Sequence, residues 1–169
     1  MVLGNLGPVE HAVIIFTELR KHVDDKVGSK IRTRAREGLE LIRASGLVPT
    51  LSFYYAKARD ALTGVNDEES MAYMLYLKTI LLYLESIGLI KGARKVFELQ
   101  EELRELTQKE RQGGDVKEEE KEKVRALLVE NFINILNEVL QKSCIASNML
   151  EPFLIEFKRL CEATWERER

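Results

Sequence analysis

The chain has 169 residues, of which 45% are hydrophobic and 32% are charged, and its formal net charge is −2. This length suits one domain with a buried core, and the charge balance excludes attraction of a polyanion by the field of the whole molecule. A polyanionic partner would therefore need a local basic patch. The most apolar run, residues 71–84, is too short to cross a membrane, and the N-terminus lacks the basic region of a signal peptide. We expect a cytoplasmic protein that makes no membrane contact.

The first half of the chain predicts four helices, each bounded by glycine, proline or a capping side chain. Ser29 is the candidate N-cap of the second helix, and Pro49 lies in the first turn of the third. Asn66, with Glu69 three residues later, predicts the cap of the fourth, which is apolar nearly all round and should be the central element. The approximate ranges are 8–25, 29–44, 49–62 and an apolar run over 71–84.

The second half begins with a strongly charged stretch, residues 98–123, which holds ten acidic and six basic residues around Gly113-Gly114. We interpret it as a solvated pair of helix extensions joined by a flexible turn. A long helix over about 116–142 follows. Asn148 with Glu151 repeats the capping spacing, and Pro152 suits the first turn of a last helix that runs towards Trp165.

The pattern as a whole predicts an all-α fold. We expect residues 1–169 to form a single domain, a compact bundle of six to seven helices with a charged, protruding helix-turn-helix extension at about 98–123.

The residues that carry most enzyme chemistry are absent or badly spaced. His11 and His22 are the only histidines, and eleven residues of helical rise would separate them by about 16 Å, too far to share a metal ion. Cys144 and Cys161 lie in no ligand pattern and are expected to be reduced. No glycine-rich phosphate loop occurs. We predict no catalytic residues, no metal site and no cofactor.

A row of cations on the second helix is the one feature that indicates a binding function. On a helical wheel Arg32, Arg36 and Arg43 fall within about 40° of one another, beside the apolar stripe. We call these three the arginine ridge. Guanidinium groups spaced in this way suit a phosphate backbone, and nothing nearby resembles an element that reads bases. The candidate nucleic-acid-binding residues are Lys30, Arg32, Arg34, Arg36, Arg43, Lys57 and Arg59.

The segment TRAREGLELIRASGLVPTLSFYYAKA resembles a known family. It is similar to the small helical subunit of the CRISPR type III-B (Cmr, RAMP module) RNA-guided effector complex, a component of antiviral defence. The family's motif joins a basic helix to a following helix through a Gly-Leu turn. The matching positions are Leu39, Ile42, Arg43, Gly46, Leu47, Thr50, Leu51, Phe53 and Lys57.

The resemblance implies a non-enzymatic subunit that stacks head to tail with further copies of itself. Its partners would be the backbone RAMP subunit, the large subunit, and the guide and target RNA. The arginine ridge would then neutralise RNA phosphates without reading sequence, because base pairing already supplies the sequence readout.

Three alternatives stay open at this point. One is the small subunit of the type III-A complex, which has a comparable helical shape. The second is a helical protein–protein scaffold unrelated to RNA, whose basic ridge pairs with an acidic partner. The third is a helical enzyme with an unrecognised site.

Overall fold

The computed structural model describes residues 5–168, and in that part of the chain helices are the only regular secondary structure. The predicted all-α fold is therefore confirmed. In chain order the helices are α1 (Pro8–Arg20), α2 (Asp25–Ser45), α3 (Leu47–Lys57), α4 (Arg59–Leu62), α5 (Glu68–Ser86), α6 (Ala93–Arg111), α7 (Glu118–Gln141) and α8 (Ser143–Thr164).

Helix α5 lies at the centre, as its all-round apolar sequence predicts. It packs against six other helices, α1, α2, α3, α4, α6 and α8. Aromatic side chains fill much of the space around it, and the rings of Tyr83 and Phe153 stack with their centroids 4.0 Å apart. Tyr54 and Tyr76 are fully buried beside them, with ring centroids 5.4 Å apart. Burying such large side chains provides most of the stabilisation of this core.

The boundary between the first two helices differs from the prediction. Helix α1 ends at Arg20, and Asp24 caps α2 by accepting a hydrogen bond from the backbone N–H of Val27 at 2.9 Å. The predicted N-cap, Ser29, lies inside α2, where its hydroxyl donates to the carbonyl of Asp25. An aspartate is at least as good a cap as a serine, and here it is the residue that precedes the first turn.

The count of eight helices exceeds the predicted six to seven because the predicted third helix is divided at Ala58. The break directs α4 onto α5 and α6. Helices α5 and α6 both form hydrogen bonds to the backbone of α4. The Ser70 hydroxyl of α5 accepts from the N–H of Ala61 at 2.8 Å, and the Gln100 amide of α6 donates to the Ala61 carbonyl at 3.5 Å. Tertiary contacts of this kind cannot be read from local sequence.

The charged stretch forms the outer part of an antiparallel pair, α6 and α7, which we call the arm. A small apolar cluster separate from the main core holds its two helices together: Leu99, Leu103, Val124 and Leu128. Towards the tip, the buried ammonium of Lys121 bonds to Glu110 at 2.8 Å and to Glu118 at 2.7 Å. Hydrogen bonds to these carboxylates raise the pKa of Lys121. The described tip is thus built from helices and ion pairs.

The prediction for the start of the last helix is wrong. Helix α8 begins at Ser143, separated from the end of α7 by Lys142 alone, so Asn148 and Pro152 both lie inside it. Proline within a helix removes one N–H and leaves the carbonyl four residues earlier, here that of Asn148, without its donor. Both residues are exposed, so water can take the place of the missing donor.

Candidate nucleic-acid interface

Helix α2 positions the arginine ridge by burying one stripe of small and apolar residues. Its side chains Ile31, Ala35 and Leu39 face the core, and Gly38 lies against Tyr76, where a Cβ would be 2.4 Å from the phenol oxygen. This glycine lets α2 and α5 approach closely. The cations on either side of the stripe therefore lie on two flanks, one towards α8 and one towards α5.

Arg32 holds the end of α8. Its guanidinium Nη1 donates to the backbone carbonyl of Trp165 at 2.8 Å, and the Trp165 ring is buried against Phe16. The carbonyls in the last turn of a helix have no partner within the helix, and a basic side chain satisfies them well. Arg32 thus has a structural partner within the chain.

Arg36 and Arg43 lie on the same flank but are half exposed, with 49% and 50% of their side chains accessible. Arg36 Nε lies 3.6 Å from a carboxylate oxygen of Glu162. Arg43 pairs with Glu151 and, at 3.3 Å, with Glu40. The hydrogen bond that Arg43 donates to Glu151 raises the pKa of Arg43. Exposed pairs of this kind contribute little to stability and exchange readily with other anions.

Arg34, on the other flank, is engaged on three sides and only 12% of its side chain is accessible. It donates to the Tyr73 hydroxyl, its guanidinium carbon lies 4.6 Å from the centre of the Tyr73 ring, and it pairs with Glu69 at 3.3 Å and with Glu37 at 3.5 Å. This side chain therefore ties α2 to α5.

Lys30 connects the segment that follows α8 to the flank of α2 that faces α5. Its ammonium bonds to Glu168 at 2.9 Å and to Glu69 at 3.1 Å, and Glu168 also accepts from the hydroxyl of Thr33. The hydrogen bond that Lys30 donates to Glu168 raises the pKa of Lys30, and the same bond lowers the pKa of Glu168. The segment that follows α8 is thereby fastened along α2.

Lys57 and Arg59 lie at the end of α3 and the start of α4, and both are exposed. Within residues 5–168 neither forms an ion pair, although the Lys57 ammonium lies over the ring of Phe53, 5.7 Å from its centre. These two are the candidate cations least occupied by partners within the protein.

The structure thus divides the seven candidate residues by availability. Lys30, Arg32 and Arg34 are held by the fold, Arg36 and Arg43 are half exposed in weak pairs, and Lys57 and Arg59 are exposed. The carboxylates that pair with cations of α2 were not predicted from the sequence: Glu151, Glu162 and Glu168. They lie more than one hundred residues from α2 along the chain, so helical periodicity carries no signal for them.

An apolar groove opens on another side of the molecule. It has a volume of about 820 Å³ and is lined mainly by α1, α5 and α6, with Ile14, Leu19 and Leu75 among its apolar residues and Glu18, Glu101 and Arg104 among its charged ones. None of the lining residues belongs to α7 or α8.

A second apolar surface follows the outer side of α7. Its residues recur at alternating steps of three and four, which places them on one face of a helix. Val129 is 48% exposed, Ile133 47% and Leu140 61%. We call this face the outer stripe of α7: Ala126, Val129, Ile133 and Leu140. Leu136 lies on the same face but is half-buried and packs against the main core. An apolar face left uncovered in this way commonly marks a protein contact.

The described residues offer little for catalysis. No group of three or more His, Cys, Asp or Glu side chains within residues 5–168 is placed to hold a metal ion. His11 is buried edge-on against Tyr83, whereas His22 is exposed. Cys161 is buried, and desolvation raises the pKa of its thiol well above the ordinary value. A thiol in that state is a poor nucleophile.

Comparisons with known proteins agree with the resemblance carried by residues 30–60. The chain is 28% identical over 173 aligned positions to a Saccharolobus solfataricus protein named CRISPR system CMR subunit Cmr5, with 92% of this chain and 91% of that protein covered. No protein-family model matches the chain. The predicted similarity to the small subunit of the type III-B complex is confirmed.

Two solved structures share the fold. A chain of the type III-B Cmr-beta complex bound to non-cognate target RNA matches with a TM-score of 0.70 at 21% identity, covering 96% of this chain and 99% of that one. A chain of the Cmr-beta complex bound to cognate target RNA and AMPPnP matches with a TM-score of 0.67 at 21% identity, covering 95% and 97%. In the described part of this chain, no helix has the length and hydropathy that a membrane span needs.

Proposed function

We propose that this chain is a non-catalytic, cytoplasmic structural subunit of a type III-B CRISPR RNA-guided complex. The observation that carries the proposal is the similarity to Cmr5 along more than nine-tenths of both chains. The shared fold with chains of two Cmr-beta structures supports it, and both of those structures contain target RNA. These similarities are to proteins of the Cmr complex, so they favour the type III-B subunit over the small subunit of the type III-A complex and over a helical scaffold unrelated to RNA.

Within that complex the chain contacts RNA phosphates through part of the predicted set. Arg36, Arg43, Lys57 and Arg59 are the accessible members, and all four lie on α2 or on the two helices that follow it. A phosphate can replace a surface carboxylate as the partner of an exposed guanidinium at little cost, because both anions accept two parallel N–H bonds. Lys30, Arg32 and Arg34 act indirectly, by keeping α2, α5 and the end of α8 together.

Head-to-tail stacking of copies belongs to the same proposal. An open stack needs two different surfaces on each copy. The groove between α1, α5 and α6 and the outer stripe of α7 meet this requirement, because they share no helix and both are apolar. We propose that the stripe of one copy packs into the groove of the next.

The absence of catalysis is part of the proposal as well. The two histidines are eleven positions apart on or just beyond α1, Cys161 is buried, and the hydrogen-bond partner of the exposed Cys144 thiol is the Asn148 amide, which is not a base. Among residues 5–168 these cysteines and histidines therefore do not form a nucleophile–base pair. Cleavage of target RNA would then be performed by other subunits of the complex.

Reconstitution tests the proposed function. The full-length chain is mixed with the backbone RAMP subunits, the large subunit and a guide RNA from the same source, and the mixture is separated by size-exclusion chromatography. We expect the chain to elute with the complex and, when incubated alone with RNA, to leave the RNA intact. Failure to elute with the complex would contradict the structural role. RNA cleavage by the purified chain, lost on substitution of one of its residues, would contradict the absence of catalysis.

A further inference from the structure

Four cations gather around the connection between α5 and α6, away from α2. Lys91, Arg94 and Lys95 come from the loop and the first turn of α6. Lys142 joins them from the end of α7, because its ammonium donates to the carbonyl of Leu89 at 3.1 Å. We call these four the loop cations. All four are exposed, and within residues 5–168 none of them forms an ion pair.

Two nearby carboxylates are engaged by backbone groups. Glu85 accepts a hydrogen bond from the N–H of Arg94 at 3.0 Å, and Glu138 accepts one from the N–H of Lys91 at 3.0 Å. Glu98, exposed one turn further along α6, is a third carboxylate, so the four cations keep a local balance of one positive charge on a chain whose overall charge is negative. Because Glu85 already caps the start of α6, any further anion would be held by the cationic side chains.

The stability of α6 does not explain why cations lie in its first turn. A positive charge in the first turn of a helix opposes the helix dipole at a cost of about 0.3–1 kcal/mol. Five of the other helices carry an acidic residue in the first turn, among them α1 with Glu10 and α5 with Glu68. Arg94 and Lys95 therefore lie where stability alone would favour the opposite charge.

The surroundings of the loop favour a nucleic acid over a protein as the partner. No large hydrophobic residue of the α5–α6 connection or of α6 is exposed, although Leu140 and Ile145 are exposed on either side of Lys142. Lys91, Arg94 and Lys95 therefore have, on their own segment, no apolar anchor of the kind that dominates protein interfaces. Flexible, solvated cations without such an anchor are typical of contacts to a phosphate backbone.

We propose that the loop cations form a second contact for RNA phosphates, distinct from the one on α2. The inference rests on the proposed function and extends it, since it gives the chain two separate points at which it holds RNA. A subunit that contacts the RNA at two separate points sets the line along which the strand crosses its surface. A single patch of phosphate contacts leaves the strand free to turn about that patch.

A charge-reversal variant, Arg94→Glu with Lys95→Glu, separates RNA binding from folding. Acidic residues in the first turn of α6 agree with the helix dipole, so the melting temperature should stay the same or rise. The probe is fluorescein-labelled polyuridine, bound to the full-length chain and followed by fluorescence anisotropy at several salt concentrations. We expect roughly 10-fold weaker binding at low salt. The plot of log affinity against log salt should become shallower by about one to two units, since each phosphate contact on a single strand contributes about 0.7.

The matched control is Lys117→Glu with Lys123→Glu. It changes the net charge by the same amount near the start of α7, and neither lysine forms an ion pair within residues 5–168. The control should bind polyuridine nearly as well as the unchanged chain. An equal loss in both variants would mean that only net charge matters and would overturn the inference.

A comparison with Arg36→Ala, Arg43→Ala keeps this inference distinguishable from the proposed function. If that variant binds less tightly while Arg94→Glu, Lys95→Glu binds normally, the loop contact is wrong and the α2 contact stands. If only the loop variant weakens binding, the loop contact stands and the α2 contact is wrong. No binding of polyuridine by the unchanged chain would overturn both contacts.

Discussion

The indole ring of Trp165 lies directly against the backbone of Gly28, and a Cβ atom on Gly28 would come within 2.3 Å of the ring nitrogen. The residue at the end of α8 thus fills a notch in the first turn of α2 that only glycine leaves open. Arg32 fixes the same residue through its carbonyl. This contact joins the two ends of the described chain, because Trp165 also packs on Phe16 of α1.

We predict that Gly28→Ala destabilises the protein by about 1–3 kcal/mol, because the added methyl group overpacks the notch. Alanine would otherwise stabilise a helix interior by about 1 kcal/mol relative to glycine, so the expected sign is opposite to that of helix propensity. Urea unfolding followed by circular dichroism measures the change. In a Trp165→Ala background the penalty should disappear; an equal penalty in both backgrounds would show that the ring is not responsible.

The arm supplies a second prediction. Deleting residues 108–119 should lower the melting temperature by less than about 10 °C, since the apolar cluster of the arm lies outside the deleted range. In the undeleted chain Lys121→Gln should lower the melting temperature, because the amide cannot form the ion pairs with Glu110 and Glu118. In the deleted chain, which lacks both carboxylates, the same substitution should have no further effect. Thermal unfolding of the three variants decides this, and an equal effect of Lys121→Gln in both backgrounds would contradict the structural role of the ion pairs.

A third prediction concerns acid stability. The bond from Lys30 lowers the pKa of Glu168 below its ordinary value of 4.5. A carboxylate with a lowered pKa in the folded state stabilises that state above the ordinary value, and the stabilisation is lost as the pH falls through the folded-state pKa. Glu168→Gln should therefore reduce stability at pH 7 and flatten the decline of the melting temperature below about pH 4.5. Glu166→Gln, at an exposed neighbouring position, is the control and should leave the decline unchanged.

Much of this architecture is predictable from the sequence, for identifiable reasons. The apolar run of α5 and the glycines Gly46 and Gly88 that follow the ends of α2 and α5 are local signals, and both glycines adopt the positive φ that such positions require. The start of α8 was not predictable, because Pro152 usually marks a first turn and is tolerated here only on an exposed face. The partners of the arginine ridge were not predictable either, since Glu151 and Glu162 reach α2 only through packing of α8.

Those partners lead to a fourth prediction. Glu151→Gln with Glu162→Gln should strengthen RNA binding by about 2- to 5-fold at low salt, because the carboxylates compete with phosphate for Arg43 and Arg36. The measurement is target-RNA affinity of the complex assembled with each form of the chain. Glu156→Gln with Glu166→Gln is the control, because it removes the same charge from a surface pair with Arg159 and from an exposed position after α8. A gain of the same size in the control would mean that the effect arises from net charge alone.

The central claim is tested most directly by the salt dependence of target-RNA affinity in complexes that contain the Arg36→Ala, Arg43→Ala chain. Arg32 is left unchanged, because it holds the carbonyl of Trp165 and its loss would disturb the fold. If both guanidiniums contact phosphates, affinity should fall similarly for all target sequences, and the slope of log affinity against log salt should become shallower by roughly 1.5–2 units. Normal assembly with unchanged affinity and unchanged slope would contradict the account and leave the ridge with a purely structural role.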